Sequence, residues 1–251
     1  MPRFRDYNQI VQRLRALPRR YWRIEQAGEI SGYPFFYVRG RPRHAAPTIL
    51  LTAGIHGEEP ATVEGCLRWL EDGSWARFDA NWFVLPCINP YGWERNQRRN
   101  AQRRDINRQF RKPHGCPEAD LIKHLVKGRR FLFSVDLHED VDTPGYYLYE
   151  LSTGTRLVGE EIIQAVKRVI PINGDKVIDG HLATGFGLIR RDAGIHSLNR
   201  RRRWPMAYHL FLHCTNHILG SETSVHFPLE RRAAAHNVAL RTALNALARK
   251  R

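Results

Sequence analysis

The sequence predicts an α/β fold in which a single domain contains a mixed, mostly parallel, twisted central sheet flanked by helices. Short apolar segments of strand length alternate along the chain with segments of helical periodicity. This alternation is typical of a sheet covered by helices. No repeat, low-complexity tract or linker-like stretch divides the 251 residues, a length that suits one large core. Residues 1–251 are therefore treated as one domain.

The first 45 residues predict a helix and a hairpin packed on that core. Residues 6–17 have the spacing of a short amphipathic helix. Residues 21–39 place aromatic and β-branched side chains around Gly28 and the pair Ser31-Gly32, as is typical of a hairpin. A turn rich in Pro, Arg and His then leads into the rest of the domain.

The remaining elements are predicted from runs of apolar residues and from their helical spacing. Predicted strands cover residues 48–54, 81–89, 131–138, 145–151 and 217–223, and predicted helices cover residues 61–72, 118–128, 157–169 and 229–249. Pro60 suits the first position of the first of these helices. Ligand sites in such folds lie at the carboxyl ends of the strands, so polar residues there are the candidates for a site.

The net charge of +15 is the unusual bulk property of the chain. A basic surface attracts nucleic acid, anionic polymers or acidic small substrates. The Arg-rich window at residues 95–112 has few aromatic residues, and the chain contains no helix-turn-helix, finger or RNP pattern. Nucleic acid is therefore not expected to be the main partner.

No apolar run is long enough for a membrane span, and the polar N-terminal segment lacks the apolar core of a secretory signal. We therefore expect a cytoplasmic protein. The four cysteines are scattered without any CxxC pair, so buried, reduced thiols are expected rather than a disulfide framework or a thiolate metal site.

Three residues form a candidate metal site. His56 and Glu59 lie three positions apart, after a predicted strand and at the entry to a helix, and His138 ends another predicted strand. Two ligands at short spacing with a distant third leave the fourth position of a catalytic zinc ion open to water. The motif alone is weak, because Glu is also favoured in the first turn of a solvated helix and a lone His is commonly a core residue.

Acidic neighbours strengthen the hypothesis. Asp136 stands two residues before His138 and could hold its second ring nitrogen. Glu58, Glu139 and Asp140 would add negative potential, although solvated surface acids give the same count. The pair His209 and His213 is a weaker candidate, because no acidic residue lies between the two histidines as in the HExxH motif.

Two charged residues suggest substrate chemistry. Glu222 follows the apolar segment HILG, where a carboxylate needs either an ion-pair partner or a task. Arg108 could clamp a carboxylate through its two parallel donors, or it could be one more surface charge in a basic run.

Five motifs occur together in one order. They are HGEE at 56–59, NPYG at 89–92, DINRQF at 105–110, DLH at 136–138 and SET at 221–223. Their order resembles that of the zinc carboxypeptidases, over about residues 48–245, and DINRQF is the most specific piece. The pattern is most similar to small bacterial members such as murein peptide amidase-like enzymes, and it is related to the aspartoacylase and succinylglutamate desuccinylase group.

The resemblance implies a role for each matching residue. His56, Glu59 and His138 would hold one zinc ion per chain. Glu222 would be the general base that acts on zinc-activated water. The remaining residues would contact the substrate: Arg98, or its neighbour Arg99, would polarise the scissile carbonyl, Asn107 and Arg108 would bind a terminal carboxylate, and Tyr208 would cap the pocket.

Some positions depart from the family pattern. Glu58 stands where many digestive-type members have Arg, Gln109 replaces the second Asn of the signature, and residues 175–215 contain no recognisable motif. The implied partner is a peptide or an acylated amino acid with a free carboxylate. Three functions remain open: a carboxypeptidase or peptide amidase, an N-acyl amino acid deacylase, and a non-catalytic binding protein of the same fold. The sequence does not indicate the oligomeric state.

Overall fold

The computed structural model describes residues 5–42, 45–191 and 202–248. Its strands are β1 Trp22–Ile30, β2 Tyr33–Gly40, β3 Thr48–Thr52, β4 Asn81–Leu85, β5 Ser134–Asp140, β6 Tyr147–Ser152, β7 Val177–Ile178, β8 His181–Leu182, β9 Leu188–Arg191 and β10 His217–Ser224. Its α-helices are α1 Tyr7–Ala16, α2 Pro60–Glu71, α3 Pro90–Arg95, α4 Pro117–Val126, α5 Gly159–Val166, α6 Met206–His213 and α7 Leu229–Leu247. Short 3-10 helices cover Ser74–Arg77 and Ile106–Arg108.

Eight strands form one sheet in the order β1-β2-β4-β3-β5-β10-β6-β9, and β7 and β8 form a separate hairpin. The pairs β4/β3, β3/β5, β5/β10 and β6/β9 are parallel, whereas β1/β2, β2/β4 and β10/β6 are antiparallel. The sheet is therefore mixed and mostly parallel, with helices on both faces. The predicted fold class is confirmed.

Two apolar layers hold the sheet between the helices. On one face, side chains of α1, α2, α5 and α7 pack against inward residues of the central strands, such as Val135 and Leu219. On the other face, α4 and α6 pack against residues such as Leu50 and Ile218. Successive residues of a strand point to opposite faces of the sheet, so adjacent residues lie in different layers.

The N-terminal elements belong to the same core. The Asp6 side chain accepts a hydrogen bond from the Asn8 amide at 2.9 Å and caps α1, which buries Ile10 and Leu14 against the sheet. The turn between β1 and β2 uses left-handed backbone at Ser31 and Gly32, with φ values of 54° and 82°. The hairpin predicted around this pair is present, and β2 continues into the main sheet through β4.

Three predicted elements differ from the observed ones by three or more residues at one end. The strand predicted at 81–89 ends at Leu85, since Pro86 has no amide hydrogen to donate to a sheet. The strand predicted at 131–138 begins at Ser134 and extends to Asp140, and the helix predicted at 157–169 covers only Gly159–Val166. All four cysteines are buried and unpaired, as predicted. No helix within the described ranges is long and apolar enough to cross a membrane.

Candidate metal centre

The turn between β3 and α2 contains two of the three predicted ligands. It packs closely against α3 and accepts a hydrogen bond from Arg5. A Cβ atom at Gly57 would lie only 2.0 Å from the Gly92 carbonyl carbon, so glycine alone allows this approach to α3. The Arg5 guanidinium donates to the carbonyl oxygen of Gly57 at 2.9 Å and to that of Trp93 at 3.2 Å. Arg5 was not singled out in the sequence, because its partner is a backbone atom far along the chain.

The structure brings His56, Glu59 and His138 together. Their ligand atoms lie within 4.8 Å of one another, and all three side chains are buried. His56 Nδ1 lies 2.6 Å from Glu59 Oε1, and His138 Nδ1 lies 3.2 Å from Glu59 Oε2. The Nδ1 atoms of both imidazoles thus face one carboxylate, as three ligands of one ion would.

The second nitrogen of each imidazole faces a carboxylate. His138 Nε2 lies 3.0 Å from Asp136 Oδ2, and the Thr52 hydroxyl donates to the other Asp136 oxygen at 2.6 Å. His56 Nε2 lies 3.4 Å from Asp105 Oδ1. Such carboxylates orient imidazole ligands and raise their basicity. Asp136 has the predicted partner position, whereas the position of Asp105 beside His56 was not predicted.

The electrostatics of the cluster favour a bound cation. Burial acts to raise the pKa of Glu59, but His56 and His138 outweigh it and lower the pKa to about 2. Burial acts to lower the pKa of His138, but Asp136, Glu222 and Glu59 raise it well above its ordinary value. The surrounding carboxylates therefore attract positive charge to this point, and a metal ion competes with protons for the same atoms.

The donor set also fits a particular metal. Two imidazole nitrogens and one carboxylate are the ligands of many catalytic zinc sites, in which a fourth position stays open. The buried surroundings and the carboxylates behind both imidazoles match what such a site requires. The residues present therefore fit a zinc ion.

Glu222 lies beside this cluster because of strand register. In β10 it pairs with His138 of the parallel strand β5 and with Tyr147 of the antiparallel strand β6. Burial raises the pKa of Glu222 well above its usual range; His138 opposes this shift, while Glu59 and further carboxylates add to it. A carboxylate whose charged form is disfavoured by burial is suited to accept a proton.

Arg98 faces the cluster, and Arg99 does not. Arg98 Nε donates to Asp105 Oδ2 at 3.1 Å, and its Nη1 atom lies 3.9 Å from Glu59 Oε1. Arg99 is exposed and donates instead to the Arg103 carbonyl at 3.2 Å. Of the two predicted alternatives, only Arg98 lines the pocket beside the ligands.

The predicted carboxylate-binding residues line the same pocket. Asn107 Oδ1 accepts from the Met206 amide at 2.8 Å, which fixes the amide plane. Arg108 Nη1 donates to the Asn107 carbonyl at 2.8 Å, which orients the guanidinium. Tyr208, the predicted capping residue, also lines the pocket and is 6% exposed. The structure therefore brings the predicted site residues to one cavity, although their roles stay predictions.

The pocket has a volume of about 940 Å³ and a wall of mixed charge. Tyr147 donates to Asp140 and Tyr149 donates to Asp179, each at 2.6 Å. Arg202 and Arg203 lie at the pocket as well. Residues 175–191, which had no readable motif, supply Asp179 through the β7–β8 hairpin.

One of the acids expected near the ion has another partner. Glu139 is adjacent to His138 in β5, and its carboxylate accepts from the Ala61 amide at 2.6 Å and forms an ion pair with Arg232 of α7. Its charge is therefore compensated by the helix layer. Asp140, on the same side of the strand as His138, lines the pocket.

Comparison with models of known protein families gives a match to part of the chain. Residues 45–157 match the family model of the succinylglutamate desuccinylase/aspartoacylase catalytic domain. A comparison with curated protein sequences gives no significant match.

Solved structures match over nearly the whole chain. A candidate metallopeptidase from Shewanella amazonensis SB2B is 23% identical with a TM-score of 0.83, covering 98% of this chain and 94% of its own. One from Shewanella baltica OS155 is 22% identical with a TM-score of 0.79, covering 96% and 91%. Carboxypeptidase A from Helicoverpa armigera is 14% identical with a TM-score of 0.71, covering 98% and 74%.

At these identities the structural matches show the fold. Together with the family-model match, they are consistent with a zinc carboxypeptidase-like, aspartoacylase-related family, as the sequence motifs indicated.

Proposed function

We propose that the protein is a zinc-dependent hydrolase that cleaves an amide bond next to a free carboxylate, as a metallocarboxypeptidase or peptide amidase does. The observation that carries this proposal is the convergence of His56, Glu59 and His138 with Glu222 in one pocket. Three ligands beside a carboxylate of raised pKa combine a metal site with a proton acceptor.

One zinc ion per chain would be held by His56 Nδ1, the Glu59 carboxylate and His138 Nδ1. When bound, zinc supplies Lewis acidity, which polarises a carbonyl and lowers the pKa of water. The protein's own contribution is the fixed ligand geometry, supported by Asp105 and Asp136 from behind.

Glu222 is the proposed proton carrier. Its carboxylate would accept a proton from the attacking water and later donate that proton to the nitrogen of the leaving amine. The register between β5 and β10 supports this role, because it places Glu222 directly beside His138 rather than across the pocket. Its raised pKa favours acceptance of the proton.

Arg98, Asn107 and Arg108 would position the substrate. Arg98, anchored by Asp105, can donate to the carbonyl oxygen as negative charge develops there, an effect worth a few kcal/mol per donor. The Asn107 side-chain NH₂ and the Arg108 guanidinium can donate to a terminal carboxylate. A carboxylate held at this point would select the adjacent amide bond for cleavage.

A second function, N-acyl amino acid deacylation, is favoured by the match of residues 45–157 to the succinylglutamate desuccinylase/aspartoacylase model. The same residues would serve both reactions, since both cleave an amide near a carboxylate. A panel of peptides and N-acyl amino acids separates the two functions by the preferred substrate. Bound zinc without turnover on either panel would instead support a non-catalytic binding protein.

The decisive experiment is Glu222→Gln, assayed on the best substrate of that panel. We expect retained fold and zinc content and a loss of turnover on the order of 100-fold or more, because an amide cannot accept the proton. Glu25→Gln is the matched control: Glu25 pairs with Arg39 far from the pocket, so this change should leave kcat intact. Near wild-type kcat in Glu222→Gln would refute the proposed mechanism.

A further inference from the structure

Behind Glu222, a buried histidine from the last helix contacts both neighbouring residues of the strand. His236 of α7 is fully buried. Its Nδ1 atom lies 2.9 Å from Ser221 Oγ, and its Nε2 atom lies 3.3 Å from Thr223 Oγ1. Because side chains alternate along β10, Ser221 and Thr223 point to the helix layer while Glu222 points to the pocket.

The chemistry of this contact is that of a neutral imidazole between two hydroxyls. Burial lowers the pKa of His236 to about 3, so the ring is uncharged at neutral pH. A neutral ring has one donor and one acceptor nitrogen, and each hydroxyl can take either role. The Tyr146 hydroxyl lies 3.1 Å from Ser221 Oγ and extends the network to the residue that precedes β6.

Close packing leaves His236 little freedom to move. A Cβ atom added to Gly65 of α2 would lie 3.4 Å from His236 Cβ and 3.3 Å from the Ala233 carbonyl oxygen. The helices α2 and α7 therefore meet at this point, and α2 begins directly after Glu59. Helix α2, which follows the proposed ligand Glu59, therefore packs against His236. His236 in turn contacts the strand that contains Glu222.

We propose that His236 is a positioning residue, which fixes the backbone of β10 from behind and so sets the place of the Glu222 carboxylate in the pocket. This inference rests on the proposed function of Glu222. Hydrogen bonds to the residues before and after Glu222 restrain both displacement and rotation of that part of the strand. A misplacement of about 1 Å far from the chemistry can cost about 100-fold in rate.

A role in stability alone would give a different result, so the test compares His236→Leu with Leu244→Ala. Leu244 is fully buried on the same helix but lies two turns further along, in the apolar core. Both changes should lower the temperature of unfolding. Only His236→Leu should lower kcat, by about tenfold or more, with KM within about twofold and zinc content unchanged.

Hydrogen exchange of the metal-free protein gives a readout that does not depend on activity. In His236→Leu, the backbone amides of residues 221–223 should exchange faster than in Leu244→Ala, relative to the amides of β3 in the same sample. Equal protection of β10 in the two variants would overturn the inference.

Two further variants keep the test decisive. His236→Gln retains one donor and one acceptor and should recover part of the lost kcat. Should His236→Leu fail to fold, Ser221→Ala removes one of the two contacts and should lower kcat without changing KM. A kcat in His236→Leu and Ser221→Ala equal to that of Leu244→Ala would refute a positioning role.

Failure of this inference can be distinguished from failure of the proposed function. If Glu222→Gln is inactive while His236→Leu keeps the kcat of Leu244→Ala, only the positioning role is wrong. If Glu222→Gln remains fully active, Glu222 is not the proton carrier and the inference loses its basis.

Discussion

His56 and His138 each present Nδ1 to Glu59, and each faces a carboxylate through Nε2. Removing either imidazole takes away one of the three proposed ligands, so His56→Ala and His138→Ala should each greatly reduce the zinc content of the purified protein from the proposed one ion per chain. Elemental analysis after dialysis measures this content. His226→Ala, at an exposed position, is the control that should keep its zinc. Full occupancy in both ligand variants would contradict the assignment.

Arg108 is the residue that we propose distinguishes a free carboxylate from an amide at the substrate terminus. Its guanidinium is oriented by the Asn107 carbonyl. Arg108→Ala should raise KM for free-acid peptides by at least tenfold and leave the free energy of unfolding nearly unchanged, because a charge-assisted contact to substrate is lost. Arg99→Ala, which removes an exposed guanidinium, is the matched control.

A second comparison uses wild-type protein and tests the hypothesis that the enzyme is an exopeptidase, which requires a free terminal carboxylate. Peptides that differ only in a free or an amidated C-terminus should be cleaved at very different rates. Equal kcat/KM for the two peptides would show that no terminal carboxylate is recognised, whatever the effect of Arg108→Ala.

At the level of elements, the turn from β3 into α2 packs closely against the backbone of α3. Gly57→Ala would bring a methyl group to 2.0 Å from the Gly92 carbonyl carbon, which is backbone and cannot move aside freely. We expect this single methyl to lower the unfolding temperature and the zinc affinity together, because the turn carries both His56 and Glu59. Thermal unfolding and zinc titration measure the two effects.

Gly28→Ala provides the control for Gly57→Ala. Gly28 lies in β1, and a Cβ atom there has no heavy atom within 4 Å among the described residues. The same chemical change should therefore be tolerated at Gly28. A Gly57→Ala protein with the zinc affinity of Gly28→Ala would show that the turn adapts and that the close approach to α3 is not required.

The elements that carry the ligands could be predicted because their signals are local. Apolar runs end at polar residues in β3 and β5, and Pro60 marks the start of α2. Strand order and register could not be predicted, because contacts between distant segments determine them. The adjacency of Glu222 and His138 is such a case: two strands far apart in the chain pair in parallel.

The contact partners of some residues also could not be predicted from the sequence. Asp105 was noted only as part of a motif, yet it contacts both His56 and Arg98. Glu139 lines the pocket as expected, but its carboxylate forms an ion pair with Arg232 that the sequence did not indicate. In each case the residue type was visible in the sequence, whereas the partner depended on which face of an element the side chain occupies.

For the whole molecule, the stability of the fold should depend on pH through His236. Its pKa is lowered by burial to about 3 in the folded protein, compared with 6.5 for an ordinary histidine. As pH falls below about 6.5, the unfolded chain therefore takes up a proton that the folded protein does not, and stability is lost down to about pH 3. At pH 5 this loss should be roughly 2 kcal/mol relative to pH 8.

Comparing wild type with His236→Leu isolates this contribution. Denaturant unfolding of metal-free protein at pH 8 and pH 5 gives the change in unfolding free energy for each, and all other titrating groups are common to both. His236→Leu should be less stable at pH 8, because two hydroxyls lose their partner, but it should lose roughly 2 kcal/mol less than wild type between the two pH values. The same pH dependence in both proteins would mean that His236 is not held neutral in the core, and that the acid sensitivity of the fold arises elsewhere.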